Sequence, residues 1–296
     1  MQPQGFSSAQ EFMWKNARLL DRQLFDRLFC GGASQGVVAA LRAYQNPDGG
    51  FGHALEPDKR CPESQPVDVE QAFHILDWIG AFDDPEISGT VVREMVLPAC
   101  DFLVSITTPE GGVPFALPSV NDYPHASWWT VEGTPPPNLN PTAGIAGLLL
   151  KHQIEHPWLE KAVDYCWQAI EASESNWYHE VVLMVAFLEH APDRARAERN
   201  LARIKERIAL PGAVELDPQA GGYVKKPLDW APVPGSLFRS LFDDDTIARH
   251  LAALAALQQE DGGWPISWGA VSPGVELEWR GRVTIEALWT LKAYGA

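Results

Sequence analysis

The sequence predicts an all-α protein, an array of helical hairpins joined by long Pro- and Gly-rich loops. Three observations predict it. The stretch Gln45-Asn46-Pro47-Asp48-Gly49-Gly50-Phe51-Gly52 returns near the C-terminus as Gln258-Gln259-Glu260-Asp261-Gly262-Gly263-Trp264-Pro265. Each copy follows an apolar, Ala/Leu-rich segment, Val37 to Tyr44 and Leu251 to Leu257. Worn copies lie between them, at Gly111-Gly112-Val113 and Gly221-Gly222-Tyr223. Paired glycines after a helix supply backbone angles that a side chain forbids. The Asp can bond the turn's own amides, and recurrence at long intervals marks a repeat architecture.

The elements follow in order. From Ser7 to Phe29 the apolar residues Phe12, Met13, Leu19, Leu20, Leu24 and Leu28 suit an amphipathic helix. Gly31-Gly32 ends it, and Ser34 caps the helix leading to the first strong turn. The polar stretch His53 to Pro66 reads as a structured loop, and helices are expected at Val67–Ala81 and Ser88–Ser105. The loop after Gly112 reaches Pro141 and holds His125, Trp128 and Trp129. Thr142 to Gln153 is apolar and small throughout, which predicts a helix buried on most sides. Pro157–Ala172 is amphipathic, Val181–Leu188 apolar all round, and Asp193–Ile208 charged on most faces. Asp243 opens a helix running to the second strong turn, and Val283–Tyr294 closes the chain. About eleven helices result, alternately buried and striped.

The interval between the second and third glycine pairs is long enough for two units, with one turn lost near residue 175. The mean unit is then about 53 residues, which suits two helices and a loop. An open solenoid has such a period; a last helix meeting the first would instead close a ring, which is the favoured arrangement. A chain of 296 residues suits one large domain or two small ones, and the repeat favours a single domain, 1–296. The formal charge of −16 opposes binding to nucleic acid and to anionic lipid. No apolar run approaches the roughly 20 residues that span a bilayer, and Met1 to Ser8 lacks a leader pattern, so a soluble, cytoplasmic protein without an integral membrane segment is expected. Cys30, Cys61, Cys100 and Cys166 are widely separated, which indicates neither a zinc ribbon nor a disulfide framework.

The two strong turns resemble the QW-type repeat of the terpenoid cyclase and protein prenyltransferase superfamily, Gln-x-x-Asp-Gly-Gly-aromatic. Gln45, Asp48, Gly49, Gly50 and Phe51 meet the pattern, as do Gln258, Asp261, Gly262, Gly263 and Trp264. The resemblance implies an (α/α) toroid of about six helical hairpins with the long loops on one rim of a central cavity. It implies an enzyme acting on an isoprenoid or other apolar substrate. The superfamily's catalytic motifs transfer badly. Asp243-Asp244-Asp245-Thr246 has Phe242 where a cyclase carries its first Asp, and reads as a helix cap. Asp58 and Cys61, flanked by His53 and His74, do not match the zinc spacing of the prenyltransferases, so no metal or cofactor is expected.

The loops carry most of the polar and aromatic residues that catalysis would use. Glu56, Asp58, Asp229 and Glu278 are the candidate acids and bases. Arg60, His125, Trp128, Trp129, Trp230, Glu276, Trp279 and Arg280 are the candidate substrate-binding residues. Glu276, Glu278 and Arg280 alternate with Leu277 and Trp279, which in an extended segment puts the charges on one side. The partner expected is a small molecule, apolar or carbohydrate. Two other functions fit the same residues: a hydrolase or lyase using rim carboxylates on a carbohydrate, and a non-catalytic binding protein on an inherited fold.

Overall fold

The computed structural model describes residues 5–296, and the protein is all-α. Among the described residues β pairing is confined to three isolated bridges. None of the described helices is long and apolar enough to cross a membrane. The chain forms two compact units: Gly31–Ile204, and the N-terminal residues through Cys30 together with Lys205–Ala296.

The unit Gly31–Ile204 holds α3 (Ser34–Leu41), α4 (Pro66–Trp78), α5 (Ser88–Val91), α6 (Leu97–Ile106), α7 (Leu139–Lys151), α8 (Pro157–Ala172), α9 (Tyr178–His190) and most of α10 (Arg194–Ile208). Helix α7 packs between α4 and α9, and α8 lies against α6 and α7. Helix α7 is buried almost throughout, as its small apolar sequence requires. A β-carbon on Gly147 would lie 2.7 Å from backbone atoms of Ala186, so the backbones of α7 and α9 meet where no side chain intervenes. The expected helix Ser88–Ser105 is continuous but widens into a π-helical turn at Val92–Val96. Pro98 follows directly; it has no N–H to continue the ladder.

The other unit holds α1 (Phe6–Asn16), α2 (Leu19–Phe25), α11 (Pro227–Trp230), α12 (Asp244–Ala256) and α13 (Pro273–Tyr294). Helix α13 packs on α1, α2 and α12. The single helix expected from Ser7 to Phe29 is two. The apolar positions jump from Met13 to Leu19, and the chain extends at Ala17, whose carbonyl accepts Arg22 Nε at 2.8 Å. Helix α13 starts ten residues earlier than Val283. Ser272 Oγ accepts the Val275 amide, and Pro273 follows at the first helical position. The segment Glu276–Arg280 is therefore helical rather than extended, and its alternating charges do not share one side.

The glycine pairs explain the repeat. Gly49, Gly111 and Gly262 have φ of 89°, 98° and 91°, the left-handed region. In each turn two backbone hydrogen bonds cross between the first turn residue and the glycines. They join Asn46 to Gly49 and Gly50, Thr108 to Gly111 and Gly112, and Gln259 to Gly262 and Gly263. The first glycine then seats on another helix: α6, α8 and α1 in turn. A β-carbon there would lie 2.2 Å from Pro98 O, 2.7 Å from Lys161 O and 2.1 Å from Ser8 O, respectively. Four residues along each of those helices an aromatic ring meets the second glycine: Phe102, Tyr165 and Phe12. The Gln of the strong copies ties turn to helix. Gln45 Nε2 donates to Gly49 O (2.9 Å) and Met95 O (3.1 Å), and Gln258 Nε2 to Gly262 O and Gly5 O, both at 2.9 Å. The weak copy has Thr107 in place of the Gln.

One sequence expectation changes here. Gly221-Gly222 is not a copy of this turn: only Gly222 has a positive φ, and nothing lies within 4 Å of a β-carbon on either residue. At the end of α8, where the turn is lost, guanidinium groups replace it. Arg203 donates to Ile170 O (2.6 Å) and Glu171 O (2.9 Å), and Arg196 grips the Glu171 carboxylate through two nitrogens.

These contacts separate the glycines by consequence. Gly262→Ala combines a left-handed backbone with a clash against a helix carbonyl, and is expected to cost about 2–4 kcal/mol. Gly221→Ala is expected to stay within about 0.5 kcal/mol of the parent. Urea denaturation of both variants checks the contrast.

Candidate functional site

The loop after the first turn, residues 52–65, is largely buried, whereas loops ordinarily run over the surface. Its start is tightly folded. A β-carbon on Gly52 would lie 2.4 Å from the carbonyl oxygens of Pro62 and Glu63. His53 and Ala54 then take φ of 56° and 59°, rare for residues with side chains. The buried backbone finds partners nearby. Gln65 N donates to Phe51 O (2.8 Å), and Asn46 Nδ2 to Pro62 O (2.9 Å). The loop also pairs with the next one: Arg60 N donates to Pro124 O (2.9 Å) and Ala126 N to Asp58 O (2.8 Å).

This folding buries Glu56, Asp58 and Lys59 together with Asp68 from the first turn of α4. Asp68 organises the group. Its Oδ1 accepts the Glu56 amide at 2.9 Å, and its Oδ2 meets Lys59 Nζ at 2.5 Å. Its place near the helix N-terminus suits its charge. Gln71, one turn further along α4, donates from Nε2 to Glu56 Oε2. Lys59 Nζ lies over the Trp129 ring, 5.3 Å from its centroid, and Trp129 stacks on Phe115 at 4.5 Å and 7°. Asp68 thus meets the ammonium, and the charges of Lys59, Asp58 and Asp68 all bear on Glu56. Burial pushes the Glu56 carboxyl up to about 7, against the pull of Lys59 and with the help of Asp58 and Asp68. A buried acid poised near neutrality can give or take a proton under ordinary conditions.

The structure brings Glu56, Asp58 and Trp129 together and sets Arg60, His125 and Trp128 at the edge of the same loops. Arg60 reaches Pro57 O at 3.4 Å. The His125 ring holds its own loop, with Nδ1 2.6 Å from Tyr123 O and Nε2 3.1 Å from Thr130 Oγ1. Trp128 is half-exposed. Sequence reasoning missed Lys59, Asp68 and Gln71. Lys59 looks like one more solvated charge between Asp58 and Arg60, and Asp68 looks like an ordinary helix-start acid. The available signal was the pairing of a Lys with acids in a loop punctuated by Pro57 and Pro62.

The remaining candidates lie in the other unit. Asp229 is half-buried and accepts the Lys226 amide at 2.7 Å, which caps α11; burial raises its carboxyl, with Lys225 at 3.9 Å opposing. Trp230 is buried edge-on to Phe238. Glu276, Glu278 and Trp279 ride on α13, and Trp279 packs edge-on to Trp268 at 5.1 Å. Arg280 is taken up by the second strong turn. It is 6% exposed, holds Asp261 at 2.6 and 2.8 Å, and lies over Phe12. A helix, rather than the expected extended segment, carries Arg280 and directs it onto the turn. Among the described residues no three His, Cys, Asp or Glu side chains converge as a metal ion requires.

Set against known proteins, the chain matches no protein-family model and no curated protein.

The cluster sets a pH dependence of stability. Between the ordinary value of 4.5 and about 7, the folded chain keeps a Glu56 proton that the unfolded chain has lost. Stability therefore falls as pH rises through that window, by on the order of 3 kcal/mol. Glu56→Gln is expected to flatten this slope in denaturation curves recorded from pH 4 to 8. Lys59→Met, which removes the buried cation that Asp68 meets, is expected to cost about 3–5 kcal/mol at neutral pH in the same assay.

Proposed function

We propose that the chain is a single (α/α) toroid domain of the terpenoid cyclase and protein prenyltransferase kind. On this reading it is an enzyme acting by general acid–base chemistry on an isoprenoid or other apolar substrate in a central cavity. The observation that carries the enzymatic reading is the Glu56 carboxyl, fully enclosed and pushed up to about 7 beside Asp58, Asp68 and Lys59. The ring is supported by the last strong turn, which grips the first helix through the same contacts that internal turns make with the helices after them.

A carboxyl that keeps its proton near neutral pH is a general acid. In the proposed reaction Glu56 transfers its proton to a substrate double bond, leaving a carbocation and a carboxylate. Asp58 and Asp68, whose charges bear on Glu56, stabilise the developing cation beside it. Gln71 orients the acid by bonding one of its oxygens.

A second reading is a carbohydrate-active enzyme. It is favoured by the half-exposed Trp128 beside three buried carboxyl groups, since indole faces stack on sugars and paired acids cleave glycosides.

Incubation with linear polyprenes and with chromogenic glycosides, each followed by product analysis, separates the readings. Turnover of a polyprene is expected, falling as pH rises through about 7. Glu56→Gln is expected to lower it by about 10²–10⁴-fold. Polyprene turnover that survives this substitution would remove Glu56 from the chemistry, and turnover of glycosides alone would establish the second reading.

A further inference from the structure

In the unit that holds α11, α12 and α13, a ring and a carboxylate share one cation. The Lys225 ammonium lies over the Tyr223 ring, 4.5 Å from its centroid, and 3.9 Å from Asp229 Oδ1. The ring face and the acid therefore bear on one point, and both are open to solvent. Tyr223 is 49% exposed, and the side chain of Asp229 is 37% exposed. Burial nonetheless raises the Asp229 carboxyl, so it stands in a recess within reach of water. Trp268 lies at 89° to Tyr223 with centroids 5.7 Å apart, and at 85° to Trp279 with centroids 5.1 Å apart. Rings that meet at right angles turn their faces in different directions, as the walls of an aromatic cage do.

Charge selects what can enter. Glu286 adds its negative charge to the surroundings of Asp229, and the chain as a whole carries a formal −16. Such a field gathers cations and repels anions. The resident cation is loosely held by the acid, since 3.9 Å is longer than a hydrogen bond. A lysine ammonium is also strongly hydrated. An alkylated ammonium sheds water more easily and gains more from a ring face.

We propose that Tyr223, Trp268 and Asp229 form a binding site for a small organic cation, an alkylated ammonium, and that Lys225 occupies the site until such a cation displaces it. The site goes beyond the acid–base function read above and uses none of the residues of the Glu56 cluster.

Isothermal titration calorimetry of the full chain with two probes tests the site: choline, and 3,3-dimethylbutan-1-ol, which has the same shape without the charge. Choline is expected to bind and the alcohol to bind at least tenfold more weakly. Lys225→Met removes the resident ammonium and is expected to tighten choline about tenfold, because the ligand no longer competes with it. Tyr223→Leu keeps apolar bulk at a half-exposed position and removes the ring face. It is expected to weaken choline about tenfold, with thermal unfolding like that of the parent. Equal binding of choline and the alcohol would overturn the site. So would choline binding that Tyr223→Leu leaves unchanged, which is attraction to an acidic surface only. Absence of choline binding in both the parent and Lys225→Met would overturn it as well.

Discussion

A helix carbonyl pressed against a residue with no side chain is the contact on which the rest of this structure depends. Pro98 O, Lys161 O and Ser8 O each occupy the space where a β-carbon would stand on Gly49, Gly111 and Gly262. The ring four residues along the same helix closes on the second glycine. Neither half works alone, because the carbonyl needs the missing side chain and the ring needs the backbone drawn in close. The contact also fixes the direction in which the chain leaves the turn. Phe51, Val113 and Trp264 are buried at once, and each accepts or donates a bond at the start of a following helical segment. Gln65 N reaches Phe51 O, Asn138 N reaches Val113 O, and Arg280 Nε reaches Trp264 O. In the last case the helix has begun earlier, so the backbone amide is engaged and a side chain stands in for it.

The buried loop inherits its placement from this arrangement. Residues 52–65 leave a fixed turn and enter a fixed helix, and Asp68 at that helix start pulls both Glu56 and Lys59 inward. The result is expensive in isolation. A lone buried carboxylate or ammonium is costly, and the pair offsets only part of that. Glu56 answers by holding its proton. The acid whose proton burial holds and the acid that organises the loop are thus different residues.

Much of this was legible beforehand. The all-α class, the helix positions and the role of the strong turns followed from glycine pairs and apolar spacing, because those patterns report local backbone requirements. Glu56, Asp58 and Trp129 stood out as candidates by their setting in long loops, and the structure places them in one buried cluster. What escaped was pairing at a distance. Nothing local says that Gln258 reaches Gly5 O, that Arg280 serves Asp261, or that Lys59 turns inward to Asp68. The strand-like alternation at Glu276–Arg280 is overridden by Ser272-Pro273 just upstream, which starts a helix through it. Gly221-Gly222 misled because composition alone does not distinguish a seated glycine pair from a free one.

The seat of Gly262 on Ser8 also bears on how the protein is made. Helix α1 is synthesised well before the turn that receives it, which is encoded about 250 residues later. Until that turn is made the face of Phe12 waits without its final partner, while residues 31–204 have the contacts of their own turns within a shorter stretch of chain. The contiguous unit can mature once residue 204 has been made, and the other unit only after the turn at Gly262 has followed.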